Sequence, residues 1–82
     1  MSSDIKELYN NAIENDRNGN YELAKSQYEE CIKQNYNVGT CAINLAFLLK
    51  KLGYKSDDPV ITRLLKLYQD YMNGCKFFEE YK

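Results

Sequence analysis

Two apolar stripes of helical spacing, separated by a glycine turn, constrain this chain more than any other feature. The first stripe repeats at three- and four-residue intervals and comprises Ile5, Leu8, Tyr9, Ala12 and Ile13. The second has the same helical period and comprises Tyr21, Ala24, Tyr28, Cys31 and Ile32. This spacing puts apolar side chains on one face of a helix. The two stripes therefore predict two helices folded into a hairpin.

The residues around the turn indicate how the two helices meet. Gly19 can take the left-handed conformation that ends a helix, and the side chain of Asn20 can cap the next one. Ala12 and Ala24 are small residues on the facing stripes, so they predict a close approach of the two helices.

The rest of the chain continues the helical pattern after a break at residues 35–39. A third helix, nearly apolar all round, is expected to be central and buried on most sides. Gly53 ends it, and Asp58 and Pro59 are the predicted cap and first residue of a fourth helix. The sequence thus predicts one all-α domain, residues 1–82, with antiparallel hairpins formed by helices at residues 4–18, 21–34, 40–52 and 59–81.

The first hairpin resembles a tetratricopeptide repeat, whose period is about 34 residues. Ala12 and Gly19 match the small residue and the turn glycine of that repeat. One period later, Ala46 and Gly53 match the same two positions. The resemblance covers about one and a half repeats and implies a tetratricopeptide-like fold in which the long C-terminal helix is a cap.

The resemblance also implies a binding surface, because the first helix of each such repeat lines a concave groove. The matching apolar positions here are Tyr9, Ile13, Ile43 and Phe47. We expect them to anchor another polypeptide through an amphipathic helix, as in an adaptor or scaffold protein. In the alternative interpretation, the fourth helix folds over this groove and makes all of them core residues.

The fourth helix carries a near-heptad apolar pattern and extends past the end of the shorter helix that it is expected to pack against. The apolar residues of its C-terminal part are predicted to form a contact surface between subunits. We call this surface the oligomer seam; it comprises Tyr68, Met72, Cys75, Phe78 and Tyr81. Self-packing of this seam would give a homodimer, and packing on a different chain would make the protein a subunit of a complex.

Residues 12–28 also resemble the first hairpin of microtubule-interacting and trafficking domains. Those domains are three-helix bundles that bind short amphipathic helical motifs. This alternative requires one long second helix across residues 35–39, whereas the tetratricopeptide-like interpretation requires a break there.

Charge and composition narrow the class of partner. A net charge of −1 without a basic stripe argues against nucleic acid. No apolar run reaches the ~20 residues of a membrane span, and Asp4 and Glu7 interrupt any N-terminal signal pattern. We therefore expect a cytoplasmic protein that does not insert into membranes.

Catalytic chemistry has few candidate residues here. The chain has no histidine, which removes histidine bases, Ser-His-Asp triads and histidine metal ligands. Cys31, Cys41 and Cys75 have no metal-site spacing and are expected to be buried free thiols. The sequence predicts a protein without enzymatic activity, metal or cofactor; an enzyme using an activated cysteine is the third hypothesis.

Overall fold

The computed structural model describes the backbone of residues 3–80 and the side chains of residues 5–72. Residues 3–80 are all-α, with four helices and no strand, as the sequence predicts. The helices are α1 (Ser3–Arg17), α2 (Tyr21–Lys33), α3 (Val38–Lys51) and α4 (Pro59–Glu80). Each packs against the next, which forms consecutive antiparallel hairpins. Because a break separates α2 from α3, the described chain does not have the long second helix of the three-helix alternative.

The first three helices end in the same hydrogen-bonded turn. After α1, Gly19 has a positive φ of 85°, and its N–H and that of Asn20 donate to carbonyls in the last turn of the helix. Gly53 (φ 104°) ends α3 in the same way. Asn35 (φ 62°) ends α2, because asparagine tolerates the left-handed conformation better than other residues with a side chain. Three equivalent turns thus give both hairpins sharp helix ends.

One of the two predicted side-chain caps is present. The Asp58 carboxylate accepts the N–H of Val60 at 2.9 Å, and Pro59 is the first residue of α4, as predicted. The prediction for Asn20 is wrong, because its side chain makes no capping bond to α2. The side-chain amide of Asn20 donates instead to Oδ1 of Asn15 at 3.3 Å, across the turn.

The helix α3 begins at Val38, inside the stretch that the sequence predicts as a break. Asn37 takes a left-handed φ of 45°, and its carbonyl accepts the N–H of Cys41 at 2.9 Å. Helical bonding therefore starts before Gly39. A methyl group built at Gly39 would lie 3.3 Å from Cβ of Tyr71, so α4 approaches α3 closely here.

The core lies mainly around α3, which packs against both α2 and α4 as the sequence predicts for a central helix. Ala12 and Ala24 are fully buried, in agreement with the close approach expected of the first two helices. The buried core cluster comprises Ala12, Ala24, Tyr28, Cys31, Cys41, Ala42, Leu45, Ala46, Leu48, Leu49, Ile61 and Leu64.

Candidate functional site

The exposed face of α3 displays the largest apolar side chain of the central helix. Phe47 is 52% exposed, although its neighbours Ala46 and Leu48 are fully buried. Ile43, one turn earlier, is half-buried. The ammonium of Lys50 lies 5.9 Å from the centroid of the Phe47 ring. This face therefore combines an exposed aromatic ring with a neighbouring cation.

A separate cleft lies between α1 and α3, over the side chain of Tyr28 from α2. Its mouth is polar, because Lys51 forms an ion pair with Asp16 at 3.2 Å. The hydroxyl of the buried Tyr28 donates to Oδ2 of Asp16 at 3.5 Å, and burial together with Asp16 raises the pKa of Tyr28. Ile13 and Asn44 also line this cleft.

Tyr9 is packed against its own chain rather than presented to solvent. It is half-buried, and its ring meets the ring of Tyr36 edge to face, with centroids 5.7 Å apart. Burial raises the pKa of the Tyr9 phenol. An edge-to-face pair of this kind stabilises the fold and leaves Tyr9 little surface for a partner.

The four predicted anchors thus lie in three places and do not share one groove. Ile13 lines the polar cleft between α1 and α3, and Tyr9 lies against Tyr36. Ile43 directly precedes the cleft residue Asn44, so it points about 100° away around α3. Neither Ile43 nor Phe47 lines that cleft.

The predicted oligomer seam lies only partly within the described side chains. Tyr68 is half-buried against the core, whereas Met72 is 48% exposed. Both line a second cleft, between α4 and the start of α3, which also includes Asn35. Cys75, Phe78 and Tyr81 lie outside the residues whose side chains are described. A hydrogen bond from the Tyr71 hydroxyl to Oδ1 of Asn35, 3.0 Å long, ties α4 to the α2–α3 turn.

The two described cysteines are free thiols in the core, where α2 meets α3. Burial raises the pKa of Cys31, and burial beside Cys31 raises the pKa of Cys41 to about 12. The Cys41 thiol donates to the carbonyl of Tyr36 at 3.7 Å. A thiol with a raised pKa is protonated at neutral pH and is a poor nucleophile. Within residues 5–72, no three cysteine or carboxylate side chains are grouped to hold a metal ion.

Several of these features have no local signal in the sequence. The pairing of Asp16 with Lys51 joins residues far apart in the chain, and so does the contact of Gly39 with Tyr71. The only pointer to the second contact is that Gly39 has no side chain, which is compatible with a close helix approach.

Comparisons with protein-family models, with curated proteins and with solved structures each find no match to this chain. Within the part of the chain that the structure describes, every helix is too short or too polar to cross a membrane.

Proposed function

We propose that this chain is a non-enzymatic interaction module that binds an amphipathic helix of another polypeptide over the exposed face of α3. The observation that carries the proposal is the 52% exposure of Phe47 on the central helix of the fold. Buried aromatic anchors contribute much of the affinity when a helix docks on such a face. Phe47 and Ile43 are the primary anchors, and Tyr9 and Ile13 contribute only their remaining exposed edges.

The proposal is compatible with the tetratricopeptide-like interpretation, in which α1–α2 is one unit, α3 begins a second and α4 is the cap. In the trafficking-type alternative the ligand is also an amphipathic helix. The protonated thiols Cys31 and Cys41 support a role without nucleophilic catalysis. They also support a reducing compartment such as the cytoplasm.

The test compares Phe47→Asp with Leu23→Asp, since both side chains are 52% exposed but lie on different hairpins. A panel of synthetic amphipathic peptides is titrated against the wild-type chain and both variants. We expect both variants to keep the helical circular-dichroism signal. We expect only Phe47→Asp to weaken peptide binding, by tenfold or more, which corresponds to about 1.4 kcal/mol.

Three outcomes would overturn this proposal. Unfolding of Phe47→Asp would make Phe47 a core residue. Equal losses in the two variants would mean that binding is not confined to α3. A panel in which no peptide binds the wild-type chain would remove the basis of the proposal.

A second candidate is assembly through the oligomer seam of α4, as a homodimer or within a complex. The observation that favours it is the exposure of Met72 at 48%, next to the half-buried Tyr68 on the same helix. Light scattering over a concentration series tests self-assembly. A dimer mass that reverts to a monomer in Met72→Glu supports a homodimer. A monomer at every concentration rules it out.

A further inference from the structure

Two cysteines lie on either side of the short connection between α2 and α3. Cys31 is in the last turn of α2, and Cys41 is in the first turn of α3. Both side chains are fully buried and belong to the same core cluster. The two thiols lie within reach of a hydrogen bond to each other. Two helices that follow each other in the chain thus bring a pair of sulfur atoms together.

The backbone between the two cysteines holds them in this arrangement. The N–H of Tyr36 donates to the carbonyl of Cys31 at 2.9 Å, and the Cys41 thiol donates to the carbonyl of Tyr36 at 3.7 Å. One residue of the connection therefore bonds to both cysteines. A disulfide bond forms only between cysteines whose backbones are already close. The packing of α2 on α3 supplies this proximity.

Fully buried thiols need a local opening of the fold before an oxidant can reach them. The connection contains two asparagines with positive φ, Asn35 at 62° and Asn37 at 45°. This left-handed conformation is strained for a residue with a side chain, and helix ends open more readily than helix centres. Because both cysteines lie within one helical turn of the connection, a single local opening exposes the two thiols together.

We propose that Cys31 and Cys41 form a reversible disulfide bond when an oxidant of the small-molecule disulfide class, such as glutathione disulfide, is in excess. The thiolate of one cysteine attacks glutathione disulfide and displaces a glutathione thiolate, which leaves a mixed disulfide. The thiolate of the other cysteine attacks the protein sulfur of that mixed disulfide and displaces a second glutathione thiolate. The two thiol protons pass to the released thiolates. The cysteines are thereby oxidised, and glutathione disulfide is reduced to two glutathione molecules.

The bond would join the two hairpins, because α2 belongs to the first and α3 to the second. It closes a ring over residues 31–41, and such a ring stabilises a fold by restricting the unfolded chain. The exposed face of α3 would then be fixed against α1–α2. In a reducing compartment the two thiols stay free. The pair is a redox-sensitive clamp, and it does not depend on the proposed binding function.

The test oxidises the full chain in buffers with a rising ratio of glutathione disulfide to glutathione. Remaining thiols are alkylated, and the products are identified by intact mass and peptide mapping. The Cys75→Ser variant is treated in parallel, since Cys75 is the third thiol of the chain. We expect both proteins to lose two hydrogen atoms and to yield peptides linked through Cys31 and Cys41.

Urea denaturation of the oxidised Cys75→Ser variant measures the effect of the clamp. The urea midpoint should rise by about 1–2 M and should return to its original value when dithiothreitol reduces the bond. The matched control is the double variant Cys31→Ala with Cys75→Ser, which cannot close the ring. Its urea midpoint should not rise with the oxidant.

Peptide mapping and denaturation each have a result that would overturn the proposal. In mapping, one such result is that Cys31 and Cys41 stay free in a buffer that oxidises the same chain in concentrated urea. Another is that they are joined to glutathione or to Cys75 rather than to each other. In denaturation, it is a urea midpoint that fails to rise on oxidation, because the bond would then distort the core instead of clamping α3.

Discussion

The two hairpins have similar backbones and different surfaces. Both contain a left-handed glycine after their first helix, Gly19 in one and Gly53 in the other. In α1–α2 the described side chains outside the core are mostly polar, with Leu23 as the one large apolar side chain that is more than half exposed. In α3–α4, four large apolar side chains are exposed, namely Phe47, Val60, Tyr71 and Met72, and the ammonium of Lys50 lies 5.9 Å from the centroid of the Phe47 ring. This difference is the reason for proposing that a partner binds α3–α4 and that α1–α2 is the scaffold.

Substitutions at two neighbouring residues of α3 should separate core from surface. Leu48→Ala removes a fully buried side chain and should lower the free energy of unfolding by roughly 2–5 kcal/mol. Phe47→Ala, at the next residue, should cost less than about 1 kcal/mol. Urea denaturation followed by circular dichroism measures both. Similar losses of stability in the two variants would show that Phe47 contributes to the core. The two hairpins would then not differ in exposed apolar surface in the way described above.

The buried thiols where α2 meets α3 should lower the free energy of unfolding at alkaline pH. Cys41 has an ordinary pKa of 9.0 and a folded pKa of about 12. Between these values the unfolded chain binds fewer protons, so the free energy of unfolding falls as pH rises. For this thiol the slope is at most about 1.4 kcal/mol per pH unit. Below the unfolded pKa the contribution is fully present and constant.

Urea denaturation at a series of pH values tests this expectation. Cys31 and Tyr28 also have raised pKa values and add to the slope. The control is Cys41→Ala, whose stability should fall less steeply with pH than that of the wild-type chain. A wild-type profile that stays flat to about pH 11 would mean that water reaches these groups in the folded state.

Alanine substitutions of the turn glycines test whether the two hairpins have equivalent backbone turns. A Cβ at Gly19 or Gly53 would have no atom within 4 Å, so alanine there incurs only the cost of the left-handed conformation. Each substitution should cost about 1–2 kcal/mol, measured by thermal or urea denaturation. A near-zero cost at Gly53 alone would indicate that the turn after α3 relaxes and that the two backbones are not equivalent.

The ion pair that links α1 to the end of α3 should contribute least to the free energy of unfolding. The Lys51 side chain is 49% exposed, so Lys51→Met should cost less than about 1 kcal/mol. The cost should decrease further in high salt. Lys50→Met is the matched control and should change stability less. A larger loss in Lys51→Met would mean that this pair fixes the relative position of the hairpins.

Local sequence signals predict the helices because each depends on neighbouring residues. The apolar period locates α1 and α2, and Asp58 with Pro59 locates the start of α4. The early start of α3 is not predictable in this way, because it depends on the left-handed conformation of Asn37. The same limit applies to Asn20, whose side chain bonds across the turn to Asn15.

The candidate site is only partly predictable for a related reason. Helical spacing does not separate Ile43 and Phe47 from the core, because α3 is apolar nearly all round; only the resemblance to a tetratricopeptide repeat identifies them as groove residues. Spacing alone cannot tell that Tyr9 packs on Tyr36 or that Asp16 pairs with Lys51. Those contacts join distant parts of the chain and depend on how the helices pack.

The most direct test of binding at the exposed face of α3 is an NMR titration of the full chain with an amphipathic peptide from the panel that binds it. We predict chemical-shift changes concentrated at Ile43, Phe47 and their neighbours on α3, with little change at the outward residues of α1. Changes centred on α1, or spread evenly over both hairpins, would contradict the assignment of binding to the exposed face of α3.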